Sequence, residues 1–173
     1  VEMNRSLYDE APLEVGVQNW TNYRLTNFSL QYSGITQIPE SVENLTHLTN
    51  LQLQYNNIQT LPEELFNLDS LTYLTLHHNE ITIIPNNIEN LIDLTYLTLG
   101  SNQITALPDQ IGSLINLQQL SLSYNNLTSL PESIGNLSNL DYLYLEHNQI
   151  TELPNSLCDL NTVYINLQYN NLC

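Results

Sequence analysis

The side chains able to do chemistry in this chain are eighteen carboxylates, four histidines and two cysteines, and their spacing argues against a catalytic centre. Covalent catalysis needs a nucleophile held beside a base, and phosphate chemistry needs a glycine-rich cradle; neither motif occurs. A structural zinc site needs Cys/His pairs at short fixed intervals, which are also missing. His77 and His78 are adjacent and His147 stands far along the chain. Glu63 and Glu64 form an acidic pair whose simple role is solvation, and no calcium-loop pattern accompanies the acids. The expectation is a non-enzymatic chain with no cofactor and no metal. Cys158 and Cys173 sit together at the C-terminal end. They are expected to close a short disulfide loop suited to an oxidising compartment, with two free thiols as the alternative. Six Asn-x-Ser/Thr sequons, at Asn4, Asn19, Asn27, Asn44, Asn126 and Asn136, permit glycosylation without requiring it.

The charge balance narrows the partners. Formal net charge is −16, because the only cations besides histidine are Arg5 and Arg24. Nucleic-acid binding needs clustered Lys/Arg, so DNA and RNA are excluded as expected partners. An anionic membrane surface is disfavoured for the same reason. No apolar run approaches the roughly 20 residues of a membrane span. The chain begins with Val1, which fits a leader already removed. The expected location is extracellular or on the cell surface; a cytoplasmic scaffold is the alternative and would keep both thiols free.

The element that must position these residues is a repeat. Pro39, Pro62, Pro85, Pro108, Pro131 and Pro154 follow one another at intervals of 23 residues, and Leu48, Leu71, Leu94, Leu117 and Leu140 keep the same step. One unit, residues 48–70, reads LTNLQLQYNNIQTLPEELFNLDS. The consensus is L-x-x-L-x-L-x-x-N-x-I/L-x-x-L-P-x-x-I/L-x-x-L-x-x. It resembles the 23-residue "LP" class of the leucine-rich-repeat family over about 85% of the chain. Related arrays occur in bacterial surface proteins and Ras-pathway scaffolds. The resemblance implies an α/β solenoid, curved, with a parallel β-sheet on its concave face and short 3₁₀ or irregular turns on the convex side. It also implies binding rather than catalysis. Expected boundaries are an N-terminal cap at 1–24, six repeats at 25–162 and a partial terminal repeat at 163–173.

The periodicity leads to the same architecture. Leucines of the L-x-L segment point inward and the residues between them outward. One short strand cannot bury its apolar side alone, so stacking of coils makes the core. Seven strands about 4.8 Å apart would span roughly 30 Å. Proline suits the turn onto the convex side, because it cannot extend a ladder. The column Asn56, Asn79, Asn102, Asn125, Asn148 and Asn170 reads as a structural ladder in which buried amides satisfy backbone groups.

Counting from the opening leucine, positions 3, 5, 7 and 8 should face the concave surface. Position 3 reads Asn27, Asn50, Tyr73, Tyr96, Gln119, Tyr142 and Tyr164; position 5 reads Ser29, Gln52, Thr75, Thr98, Ser121, Tyr144 and Asn166. Position 7 reads Gln31, Gln54, His77, Gly100, Ser123, Glu146 and Gln168; position 8 reads Tyr32, Tyr55, His78, Ser101, Tyr124, His147 and Tyr169. Nine of the eleven tyrosines fall in this set but only one carboxylate, Glu146. A neutral, aromatic face is expected, with the acids on the turns. Tyrosine offers a rigid surface with a polar tip, which suits interfaces, although it also favours exposed strands for local reasons. The expected ligand contacts are Tyr55, Tyr73, Thr75, His77, Tyr96, Thr98, Tyr124, Tyr142, Tyr144 and His147, receiving a protein, peptide or glycan.

A solenoid also needs covered ends. Leu7, Tyr8 and Trp20 are expected to help cap the first coil, with Trp20 as the main plug. Leu160, Ile165, Leu167 and Leu172 would leave an apolar edge at the other end. The second functional expectation is therefore a self-assembling subunit of a filament or surface layer, a homo-oligomer stacked head to tail through these ends.

Overall fold

A computed structural model describes residues 18–21, 24–160 and 163–172. The chain winds as a curved, open solenoid whose strands form one sheet in sequence order. β1 is Gln18–Thr21, β2 Arg24–Ser29, β3 Asn50–Gln52, β4 Tyr73–Thr75, β5 Tyr96–Thr98, β6 Gln119–Ser121, β7 Tyr142–Tyr144 and β8 Tyr164–Asn166. β2 to β8 are parallel and in register, so Phe28, Leu51, Leu74, Leu97, Leu120, Leu143 and Ile165 form one continuous column. Leu48, Leu71, Leu94, Leu117 and Leu140 form a second, and both columns are buried through the interior coils. Such burial stabilises by about 1.5–3 kcal/mol per large aliphatic side chain.

Each proline opens a 3₁₀ turn on the convex side: Glu40–Asn44, Glu63–Asn67, Asn86–Asn90, Asp109–Ser113, Glu132–Asn136 and Asn155–Asp159. The proline supplies only its carbonyl, which accepts from the N–H three residues on, as Pro62 does from Leu65 at 3.2 Å and Pro85 from Ile88 at 3.1 Å. Its missing N–H is therefore no loss. Carboxylates sit in the first turn of five of these six elements, where exposed N–H groups favour negative charge. Glu132 goes further and bridges coils. It accepts from the N–H groups of Ser156 at 3.0 Å and Asn155 at 3.3 Å, and these bonds hold its carboxyl below the usual carboxylate range.

The sheet has eight strands rather than the seven expected. The extra strand, β1, runs antiparallel to β2 and bulges between Asn19 and Trp20. Part of the expected cap thus pairs with the outer edge of the first coil, which would otherwise present free N–H and C=O groups. Leu7 and Tyr8, expected in the cap, lie outside the described residues, and for Trp20 only the backbone is described, opposite Leu25. At the other end Leu160, Ile165 and Leu167 pack partly against the core and Leu172 is 39% exposed. Cys158 is exposed and its expected partner Cys173 lies outside the described residues.

Candidate functional site

The asparagine column sets the geometry of the concave face. Asn102 lies at the end of its strand segment, and its Nδ2 donates to Leu99 O at 2.9 Å in its own coil and to Leu76 O at 3.0 Å in the preceding one. Its Oδ1 accepts from Ile81 N at 3.0 Å. Asn79, Asn125 and Asn148 repeat this pattern, and Asn56 and Asn170 carry it to the two ends. The ladder is structural and ties each coil to the one before it.

For the side chain at position 9 to turn inward, position 8 must bend the chain sharply. Tyr32, Tyr55, His78, Ser101, Tyr124, His147 and Tyr169 all have φ between 52° and 60°. This left-handed region is uncommon for residues with a Cβ. Sequence patterning alone gives no sign of it, because the usual Gly or Asn marker is absent. The bend orients the position-8 rings along the coil axis. Tyr32, Tyr55 and His78 stack with centroids 4.3 and 4.4 Å apart, and Tyr124, His147 and Tyr169 stack at 4.2 Å twice. Offset stacking of this kind adds about 0.5–1.5 kcal/mol per pair beyond area burial.

Two further clusters lie on the strands themselves. Tyr73 and Tyr96 approach at 5.5 Å. Tyr142, Tyr144 and Tyr164 meet at 5.9 to 6.3 Å. Gln119 separates the two clusters in the position-3 column. Tyr55, Tyr96, Tyr124 and Tyr142 are exposed, Tyr124 most of the four at 54%. Tyr73, His77, Thr98, Tyr144 and His147 are half-buried. Tyr32, His78, Tyr164 and Tyr169, left out of the expected contact set, belong to the same ring clusters. Their signal was already in the columns.

One expected contact fails. Thr75 is only 3% exposed, and its hydroxyl donates to Gln54 Oε1 at 2.6 Å. A long amide from the preceding coil engages it, so Thr75 is a packing residue and not a ligand contact. His77 reaches Thr98 Oγ1 through Nδ1 at 3.3 Å and stands edge-on to His78 at 5.6 Å. Burial, and then the neighbouring His78, lower the His77 pKa below its ordinary value. A histidine with a lowered folded pKa binds more protons when unfolded. Stability contributed by neutral His77 is therefore present above its ordinary titration range and is lost as pH falls through that range toward the folded value. The midpoint of thermal unfolding should drop between about pH 7 and pH 5, and His77→Gln should flatten that slope. Parallel melting curves in the two proteins would contradict this.

Among the described residues no group of three or more His, Cys, Asp or Glu side chains assembles to hold a metal, and no helix is long and apolar enough to cross a membrane. What the face presents is aromatic surface with amides and hydroxyls at its edges.

The family model for the leucine-rich repeat region matches residues 18–106 and 85–167. The chain belongs to the leucine-rich-repeat family. Solved structures superimpose on it. The ectodomain of the plant membrane receptor kinase GASSHO1/SCHENGEN3 from Arabidopsis thaliana, in complex with Casparian strip integrity factor 2, is 36% identical at a TM-score of 0.78 and covers 86% of this chain. A leucine-rich-repeat protein of Leptospira interrogans is 34% identical at 0.74, also over 86% of this chain. A plant ice-binding protein is 27% identical at 0.80 over 93%. This chain spans 19%, 44% and 55% of those three chains respectively. A search among curated proteins finds no match.

Proposed function

We propose that this leucine-rich-repeat chain is a non-enzymatic recognition module of an extracellular or cell-surface protein, and that it receives an extended polypeptide across its aromatic concave face. The observation that carries the reading is the segregation of side chains. The outward columns hold four ring clusters, while every carboxylate of the array except Glu146 lies outside those columns. Exposed tyrosines offer large contact area at small entropic cost. The likeness to a receptor ectodomain in complex with another factor supports polypeptide over glycan as the ligand class. A displayed peptide library panned against the chain should yield binders that fail against a Tyr96→Ala, Tyr142→Ala double variant of unchanged melting temperature. Binders indifferent to that change would remove the concave face as the site.

A second reading, in which copies stack head to tail through the solenoid ends, draws on the partial exposure of Leu160, Ile165, Leu167 and Leu172. It requires mass to grow with concentration in light scattering; a constant monomer mass excludes it. The Cys158–Cys173 pairing remains part of that C-terminal proposal, read by mass spectrometry with and without reductant. Ice binding, suggested by the plant relative, would call on a flat regular row. Thr36, Thr82, Thr105, Thr128 and Thr151 share one exposed column, but Gln59 interrupts it and it is a single column wide. The adjoining column mixes Gln37, Thr60, Ile83, Ala106, Ser129 and Glu152, so the face lacks the two-dimensional regularity that reading needs.

A further inference from the structure

The position-8 ring ladder is interrupted once, and the interruption has the dimensions of a ring. His78, Ser101 and Tyr124 share the same φ of 55°. Their N–H groups donate in unbroken sequence to Gly100 O at 2.9 Å, Ser123 O at 2.8 Å and Glu146 O at 2.9 Å. The backbone is therefore set to carry an aromatic side chain at Ser101 as it does at the other six positions of the column, and the chain supplies a hydroxymethyl group instead. Two coil steps separate the His78 and Tyr124 rings, roughly 10 Å at the ordinary strand spacing. That is room for one planar ring with a face against each neighbour. Gly100 leaves the adjoining position without a side chain. A Cβ there would stand 3.0 Å from Ser123 Oγ and 3.2 Å from Ser123 O, so Ser123 already packs over the buried Gly100 and the open step of the ladder is at Ser101 alone.

A second observation concerns charge. Glu146 is the only carboxylate in the four outward columns and lies two coils from Gly100 in the same column, roughly 10 Å away. Its Oε2 is shut from solvent and has no hydrogen-bond partner. The chain has no lysine and only two arginines, neither of them on the strands of the central coils. Among the described residues, no Lys or Arg lies in the central coils to meet this carboxylate.

We propose that the gap at Ser101 is a slot for one aromatic side chain of a basic peptide, stacked between His78 and Tyr124, with a Lys or Arg of the same peptide directed at Glu146. This deepens the concave-face reading and rests on it. The probe is acetyl-Lys-Gly-Trp-Gly-Lys-amide, titrated into the chain and followed by NMR through its indole protons and the His78 and Tyr124 ring signals. Upfield indole shifts are expected, together with a loss of affinity on the order of tenfold when the probe's tryptophan becomes alanine. Ser101→Tyr should fill the slot from within and weaken the probe by a similar factor while leaving the melting temperature at or above the parent's. Ser101→His serves as a second plug, since both ring types already occupy this column. Glu146→Gln should weaken the probe and reduce its salt dependence. Equal affinity for the tryptophan and alanine probes, undiminished binding by both plugged variants, or no binding at all overturns the slot. Loss of binding in the Tyr96→Ala, Tyr142→Ala variant with full binding by Ser101→Tyr would keep the wider face and reject the slot; the reverse pattern would keep the slot and reject the wider face.

Discussion

Replacing Asn102 by alanine is expected to lower the stability of the whole array by about 1–3 kcal/mol, because it strands the buried N–H of Ile81 and takes one donor from each of three neighbouring carbonyls. The side chain accepts from Ile81 N and donates to Leu76 O, Leu99 O and Gly100 O, all within 3.3 Å. Alanine can replace none of these bonds, and the site is buried, so water cannot readily take over. The orphaned Ile81 N–H carries most of the loss, about 1–3 kcal/mol, since Leu76 O, Leu99 O and Gly100 O keep donors in Asn79, Asn125 and His78. Urea denaturation should show a lower midpoint with the slope retained if the array still unfolds cooperatively. Asn170→Ala is the internal comparison. That residue makes the same kind of bonds at a half-buried position, so its loss should cost distinctly less. Equal effects at Asn102 and Asn170, or a loss below about 1 kcal/mol at Asn102, would contradict the ladder's energetic role.

Phe66→Ala is expected to cost about 3–5 kcal/mol through the cavity it leaves. Phe66 is fully buried on the Glu63–Asn67 turn. The corresponding places in other coils hold Glu43, Glu89, Gly112, Gly135 and Cys158, three of which are exposed. The coil has thus turned an ordinarily peripheral position into core, and no neighbouring repeat supplies a substitute. Phe66→Leu should recover much of the loss, since a smaller void remains. Denaturation of the two variants against the parent checks the order. An alanine variant as stable as the parent would mean that the site collapses around the gap without strain.

The repeat was open to reading because its causes are local and recur. Proline must open a convex turn wherever a ladder cannot continue, and leucine must face inward wherever a strand alternates. The asparagine ladder could be recognised as structural from the same recurrence. Thr75 shows where this stops. Its column position marked it as outward, but Gln54 from the neighbouring coil engages its hydroxyl, and that depends on the side chain chosen 21 residues earlier. β1 was also hidden, since Gln18–Thr21 belongs to no repeat and offers no period to count.

The ring slot marks the same boundary. The sequence alone determined that tyrosines and histidines share columns, that carboxylates avoid them, and that Ser101 breaks a row. Only the tertiary structure decided that position 8 is left-handed in every coil and that its rings therefore stack at 4.2 to 4.4 Å. The physical reason is that a repeat encodes each coil's own fold, whereas the approach of rings on adjacent coils is set by backbone hydrogen bonds between residues more than twenty positions apart. A missing side chain becomes a site only when that inter-coil spacing holds its neighbours one ring's width away on either side.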